Sequence, residues 1–145
     1  MDGNLNRELV IIGGGPAGLM AAESALANGA SNVSVYERMG SVARKFLIAG
    51  KGGLNLTHSE PMPQFIQRYL PQTRSIGHWL REFGPDAVRA WAAGLGVETF
   101  VGSSGRVFPH DLKAAPLLRA WVRRLRANGV RFHVNHEWLG WDEAG

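Results

Sequence analysis

A chain of 145 residues with 45% apolar content is long enough for one ordinary domain. It is too short for a nucleotide-binding domain plus a full substrate domain. Its +4 charge and pI near 10.1 suit an anionic ligand, and no aromatic-basic motif accompanies that charge to indicate nucleic acid. The absence of cysteine excludes disulfides, thiolate zinc sites and a redox cysteine pair within this segment.

The first predicted element is the apolar run Leu9-Val10-Ile11-Ile12, a strand that breaks at Gly13-Gly14-Gly15-Pro16-Ala17-Gly18. A small-residue helix follows, then a second strand, Val33-Ser34-Val35-Tyr36-Glu37. Gly13 allows the tight turn off the strand, Gly15 lets backbone approach a pyrophosphate, and Gly18 lets the helix pack close to the sheet. Pro16 suits a first helical turn, whose free N–H groups and dipole favour phosphate. Glu37 stands 19 positions past Gly18, near the ~20 expected for an acid on ribose hydroxyls. In a chain with 19 glycines a bare G-x-G-x-x-G decides little. Strand, helix and acid in the right order make it a dinucleotide-binding βαβ unit, with FAD and NAD still unseparated. Residues 9–27 superficially mimic a secretion signal, but Glu23 and the three glycines interrupt it, and no stretch approaches the ~20 apolar residues of a membrane span. A cytoplasmic location fits.

From Arg38 to Thr57 the chain is basic and rich in glycine, too interrupted for a regular element and too apolar for a linker. Lys51 precedes Gly52 instead of Ser or Thr, so this is not a phosphate-binding P-loop. Pro61 to about Gly96 reads as two or three short helices punctuated by Pro71, Gly77, Gly84 and Pro85. Trp79, Leu80 and Phe83, and again Val88, Trp91 and Leu95, recur at helical spacing and are expected in the core. Val97–Val101 and Arg106–Phe108 are predicted strands. Lys113 to Asn128 is a predicted helix closed by Gly129. Its Leu117, Leu118, Trp121, Val122 and Leu125 form one face, and Arg119, Arg123 and Arg126 form a solvated opposite face in preference to a nucleic-acid stripe. Val130–Val134 and Glu137–Trp141 complete the predicted strands. His133 and His136, three apart on a strand, point to opposite faces and share no metal ion. No catalytic acid, base or nucleophile is evident.

Three segments together resemble the HI0933-like flavoproteins, FAD/NAD(P)-dependent oxidoreductases. The first is Gly13–Leu19 with Glu37. The second is Arg44-Lys45, the glycines at 50–53, Asn55 and Thr57, against G-R-K and S-G-x-G-R-C-N-x-T-N. The third is Gly105-Arg106-Val107-Phe108-Pro109. The family's arginine, cysteine and closing asparagine are here Gly53, Leu54 and His58, marking a divergent branch. Members of that family are more than twice as long, so the sequence reads as an N-terminal portion.

The resemblance implies an α/β, Rossmann-like FAD-binding domain with a parallel sheet. It divides into 1–60 (βαβ and cofactor loop), 61–96 (helical insertion) and 97–145 (strand, helix and strand returning to the sheet). It implies non-covalent FAD, with Gly13, Gly14, Gly15, Pro16, Ala17 and Gly18 at the pyrophosphate and Glu37 at the adenosine ribose. Arg38, Arg44 and Lys45 are expected near the phosphates or adenine, and Gly50, Gly52, Asn55 and Thr57 nearer the flavin. Trp138, beside Glu137, is the expected adenine contact. A small-molecule substrate and NAD(P)H as electron donor belong to the same expectation. The alternatives are a catalytically silent nucleotide-binding fragment and an NAD-binding dehydrogenase module.

Overall fold

The computed structural model describes residues 8–142. In chain order its elements are β1 (Leu9–Ile12), α1 (Pro16–Ala27), β2 (Val33–Glu37), α2 (Arg44–Ala49), β3 (Thr57–His58), α3 (Met62–Gln67), α4 (Thr73–Glu82) and α5 (Pro85–Gly94). β4 (Thr99–Val101), β5 (Arg106–Pro109), α6 (Ala114–Ala127) and β6 (Arg131–Val134) follow. They fall into two compact units, one of residues 8–48 and 121–142, the other of residues 49–120.

The first unit is an α/β unit on a parallel sheet in the order β1-β2-β6. Leu9 pairs with Val33 and Ile12 with Tyr36, while Ser34 pairs with Arg131 and Glu37 with Val134. Central β2 buries Val33, Ser34 and Val35 completely, as a strand paired on both sides requires. Leu19 and Ala22 of α1, with Trp121, Leu125 and Val130, complete this core. Helix α1 ends at Asn28-Gly29 and α6 at Asn128-Gly129, with both glycines left-handed (φ +89° and +90°). In each, the asparagine amide bonds the carbonyl four residues back, and Ala30 or Val130 donates back into the last turn.

Ser34 is the buried polar residue of this sheet. Its hydroxyl donates to Glu8 and accepts from Arg131 Nε at 3.2 Å, while the Arg131 guanidinium also reaches Glu8 at 2.8 Å. The Ser34 hydroxyl first, and Arg131 second, hold the Glu8 carboxyl below its ordinary 4.5. A lowered carboxylate contributes stability that is present above the ordinary value and lost as pH falls through the lowered one. Glu8→Gln is therefore expected to narrow the stability difference between neutral pH and acid below the carboxylate range. Urea titrations at both acidities check this, and an unchanged difference contradicts the link.

The second unit has an antiparallel sheet ordered β3-β5-β4, with Val107 at its centre pairing with both Thr57 and Val101. Leu54, Ala92, Val107, Ala114, Leu117 and Leu118 are among its buried apolar residues.

Several expectations are corrected. The segment after Glu37 does hold regular structure, because residues 44–49 contain no glycine and coil into α2 between Gly40 and Gly50. Gly77 does not punctuate. It lies inside α4, where an added Cβ would stand 3.3 Å from Ile66 of α3. That contact turns Gly77 inward, so Trp79 points outward and is 62% exposed. Glu137–Trp141 is not a strand. Asn135, at φ +58°, turns the chain out of the sheet and donates its N–H to Met39, and after the His136 N–H bonds the Glu37 carbonyl no strand pairing continues through the described residues. The same turn undoes the opposite-faces expectation for the histidines. The rings of His133 and His136 lie 5.8 Å apart, both against Tyr36. Among the described residues no group of three or more His, Cys, Asp or Glu side chains could hold a metal ion. None of their helices is long and apolar enough to cross a membrane.

Candidate functional site

The site forms where β1 hands over to α1. Gly13 sits at φ +101° and donates its N–H to the Tyr36 carbonyl at 2.8 Å, which ties the turn to the end of β2. Gly15 is the extended N-cap residue, Pro16 opens the helix, and no side chain caps it. The first-turn N–H groups, Ala17 and Gly18 among them, thus have no partner within the helix and carry the positive end of its dipole. A Cβ placed on Gly15 meets nothing within 4 Å, so the space in front of this turn is open. One on Gly18 would run into the Gly13 carbonyl oxygen. Gly13 is thus required by its backbone conformation and Gly18 by its close approach to β1, while at Gly15 the protein itself leaves room for a side chain.

In front of the turn lies a cleft of about 270 Å³ lined by Gly15, Pro16, Glu37, Arg38, Met39, Ser41, Ala43, Arg44 and Lys45. Three cations and a helix N-terminus face one carboxylate, so the cleft favours a polyanion. Glu37 is held from both sides. Gly14 donates to its Oε2 at 3.0 Å and Met39 to its Oε1 at 2.8 Å. Each oxygen keeps a lone-pair direction for another donor, such as a ribose hydroxyl. Arg38 is mostly exposed, with Glu137 3.9 Å away.

The sequence-derived residues divide accordingly. Gly15, Pro16, Glu37, Arg38, Arg44 and Lys45 line the cleft, with Gly13, Gly14, Ala17 and Gly18 forming the turn and helix start behind it. Trp138 instead lines an apolar groove of about 340 Å³ with Val10, Ile12, Tyr36, His136 and Glu137, and is 53% exposed. Gly50, Gly52, Asn55 and Thr57 belong to the second unit. There Gly50 packs on Ala114, Gly52 and Asn55 are exposed, and Thr57 starts β3. Leu54, at the family's cysteine position, is buried and donates its N–H to the Leu112 carbonyl. His58, at the asparagine position, accepts the Glu60 N–H at Nδ1, which leaves Nε2 to donate to the Ser104 carbonyl at 3.0 Å. Met39, Ser41 and Ala43 were missed by sequence reasoning. Only their position just after the β2 acid could have flagged them.

With the glycine turn, the acid and the basic cleft assembled on a parallel sheet, the comparison with known families is decisive. Residues 7–145 match the HI0933-like protein Rossmann domain. The chain belongs to that family. Among relatives of this HI0933-like chain is the 3-dehydro-bile acid delta(4,6)-reductase of Clostridium scindens, 29% identical over 126 residues, which are 86% of this chain and 30% of that protein. The fold is shared with THI4 of Thermovibrio ammonificans (19% identity, TM-score 0.51), over 88% of this chain and 38% of that one. It is shared too with the 3-ketosteroid-delta4-(5alpha)-dehydrogenase of Rhodococcus jostii RHA1, in complex with 4-androstene-3,17-dione (18% identity, TM-score 0.58). That match covers 87% of this chain and 37% of the other. The HI0933-like chain therefore spans well under half of each of these proteins.

Proposed function

We propose that this chain binds FAD non-covalently and is the adenine-side, N-terminal portion of a flavin-dependent oxidoreductase. The observation that carries the reading is the cleft at the start of α1. It joins an open Gly15, an uncapped helix N-terminus, Arg38, Arg44, Lys45 and a carboxylate fixed at the end of β2. The residues fit the group. The first turn of α1 and the three cations would hold the pyrophosphate, and Glu37 would accept from the adenosine ribose. Its negative charge opposes a 2′-phosphate at the same place, so this pocket suits FAD or NAD better than NADP. Family membership and a reductase among the relatives support FAD over NAD. Bound flavin supplies the hydride chemistry, while this chain supplies position and charge. Gly50, Gly52, Asn55 and Thr57 are proposed to face the flavin, Trp138 the adenine, and NAD(P)H is the proposed reductant.

The test is the purified protein. Flavin absorbance, with FAD released on denaturation or taken up on addition, is the expected result. Colourless protein that takes up no FAD overturns the reading. Uptake of NAD in preference to FAD would favour the dehydrogenase-module alternative. Arg44→Ala with Lys45→Ala is expected to weaken ADP binding about tenfold or more, with a steeper loss at low salt, where the exposed charges are least screened. Calorimetric titration at two ionic strengths measures both. Equal affinity for the double variant would remove these cations from the site.

A further inference from the structure

Gly14, the residue between the two fingerprint glycines, is buried and sits where the G-x-G-x-x-G pattern tolerates any side chain. Its backbone needs no glycine, since its φ lies outside the left-handed region. Space is what forbids a side chain here. A Cβ on Gly14 would stand 2.7 Å from Val42 Cγ1, 3.2 Å from Val42 Cβ and 3.2 Å from Glu37 Cβ. The first distance is one that real Cβ atoms do not show, and the valine is stiff at χ1. The Gly14 carbonyl accepts the Ala43 N–H at 2.7 Å, while its own N–H donates to Glu37. Ala43 is 2% exposed and holds φ +55°, an uncommon conformation for alanine that the surrounding packing must maintain. Both peptide groups of Gly14 and its missing side chain are therefore taken up by residues 37–43, and none of them by a ligand.

Resting on the nucleotide-binding reading above, we propose that Val42 and Ala43 are positioning residues. They latch Gly14, so that the glycine turn stands in its binding form before the nucleotide arrives. Gly14 is then glycine because of Val42, whereas Gly15 is glycine because of the ligand. An unlatched turn must be ordered at the moment of binding, and that cost lowers affinity without loss of any ligand contact.

The probe is ADP, titrated into the purified wild-type protein, Gly14→Ala, Val42→Gly and the double variant, well below each unfolding midpoint. Gly14→Ala is expected to bind ADP at least tenfold more weakly than wild type. The double variant, in which the valine side chain no longer meets the new methyl, is expected to recover most of that loss. Val42→Gly alone is expected to weaken binding about threefold and to speed amide exchange at Ala43. Titrating well below each unfolding midpoint keeps general stability out of the comparison, and faster amide exchange at Ala43 in Val42→Gly without loss of the global fold separates positioning from a merely structural role. Gly14→Ala binding like wild type, or a double variant no better than Gly14→Ala, overturns the latch. Wild-type protein that binds no ADP overturns the nucleotide-binding reading itself, and the latch with it.

Discussion

Trp121→Ala is expected to destabilise the protein by about 3–5 kcal/mol, the range for truncating a fully buried aromatic side chain. Trp121 is 2% exposed and meets Phe46 edge-to-face at 6.4 Å. Its indole N–H donates to Glu23 of α1, the same carboxylate that pairs with Arg124 one turn further along α6. The substitution thus opens a cavity and strips one donor from a half-buried acid, and the two losses act at one place. For a chain of this size the midpoint of thermal unfolding should fall by about 10 °C or more. Trp121→Phe separates the contributions. It keeps most of the ring volume and loses the hydrogen bond, so about 1–2 kcal/mol is expected. Glu23→Ala, which leaves both Trp121 and Arg124 without this carboxylate, should cost about 2–3 kcal/mol. Circular-dichroism melts and urea titrations of the three variants give the ranking. A loss below about 1 kcal/mol for Trp121→Ala would remove this residue from its place as the anchor between α1 and α6.

That anchor was legible in the sequence only by half. The apolar face of α6 follows from the spacing of Leu117, Leu118, Trp121, Val122 and Leu125, because a 3.6-residue period is a local property. Its pairing with Glu23 is not local, since 98 positions separate Glu23 from Trp121. The same division runs through the molecule. The β1-turn-α1-β2 unit was readable because strand, turn and helix follow one another directly and Gly13 and Gly18 answer requirements set within that short stretch. The end of α6 was readable from Asn128-Gly129 for the same reason. The reason for Gly14 lies at Val42 and was not legible. What escaped were single residues in unusual conformations and outward-facing aromatics. Ala43 at φ +55° carries no compositional signal, and Asn135 at φ +58° only the general left-handed preference of asparagine, yet one is part of the proposed latch and the other brings His136 beside His133. Trp79 was expected in the core because spacing says which residues share a helix face. It does not say which face is buried, and Gly77 against Ile66 decided that.

Gly18→Ala is expected to cost at least about a hundredfold in nucleotide affinity, equivalent to roughly 2.7 kcal/mol. The cause is geometric. The new Cβ would run into the carbonyl oxygen of Gly13, which is backbone and cannot swing aside, and it would stand 3.3 Å from Ile11 Cγ2. Helix α1 must therefore move away from β1 or the Gly13 turn must deform. Either change carries the first-turn N–H groups away from the cleft they share with Arg38, Arg44 and Lys45. Hydrogen bonds to a pyrophosphate weaken steeply with such displacement. Gly15→Ala provides the contrast within the same turn. Its Cβ meets no protein atom within 4 Å, so the folded protein should melt close to wild type while the methyl occupies the open space proposed for the phosphates. The two variants should thus separate stability from binding. Gly18→Ala is expected to lower both the melting midpoint and ADP affinity, and Gly15→Ala only the affinity. Parallel melts and ADP titrations distinguish these patterns. A Gly18→Ala protein that melts and binds as wild type would mean that the close approach of α1 to β1 is not what builds the cleft.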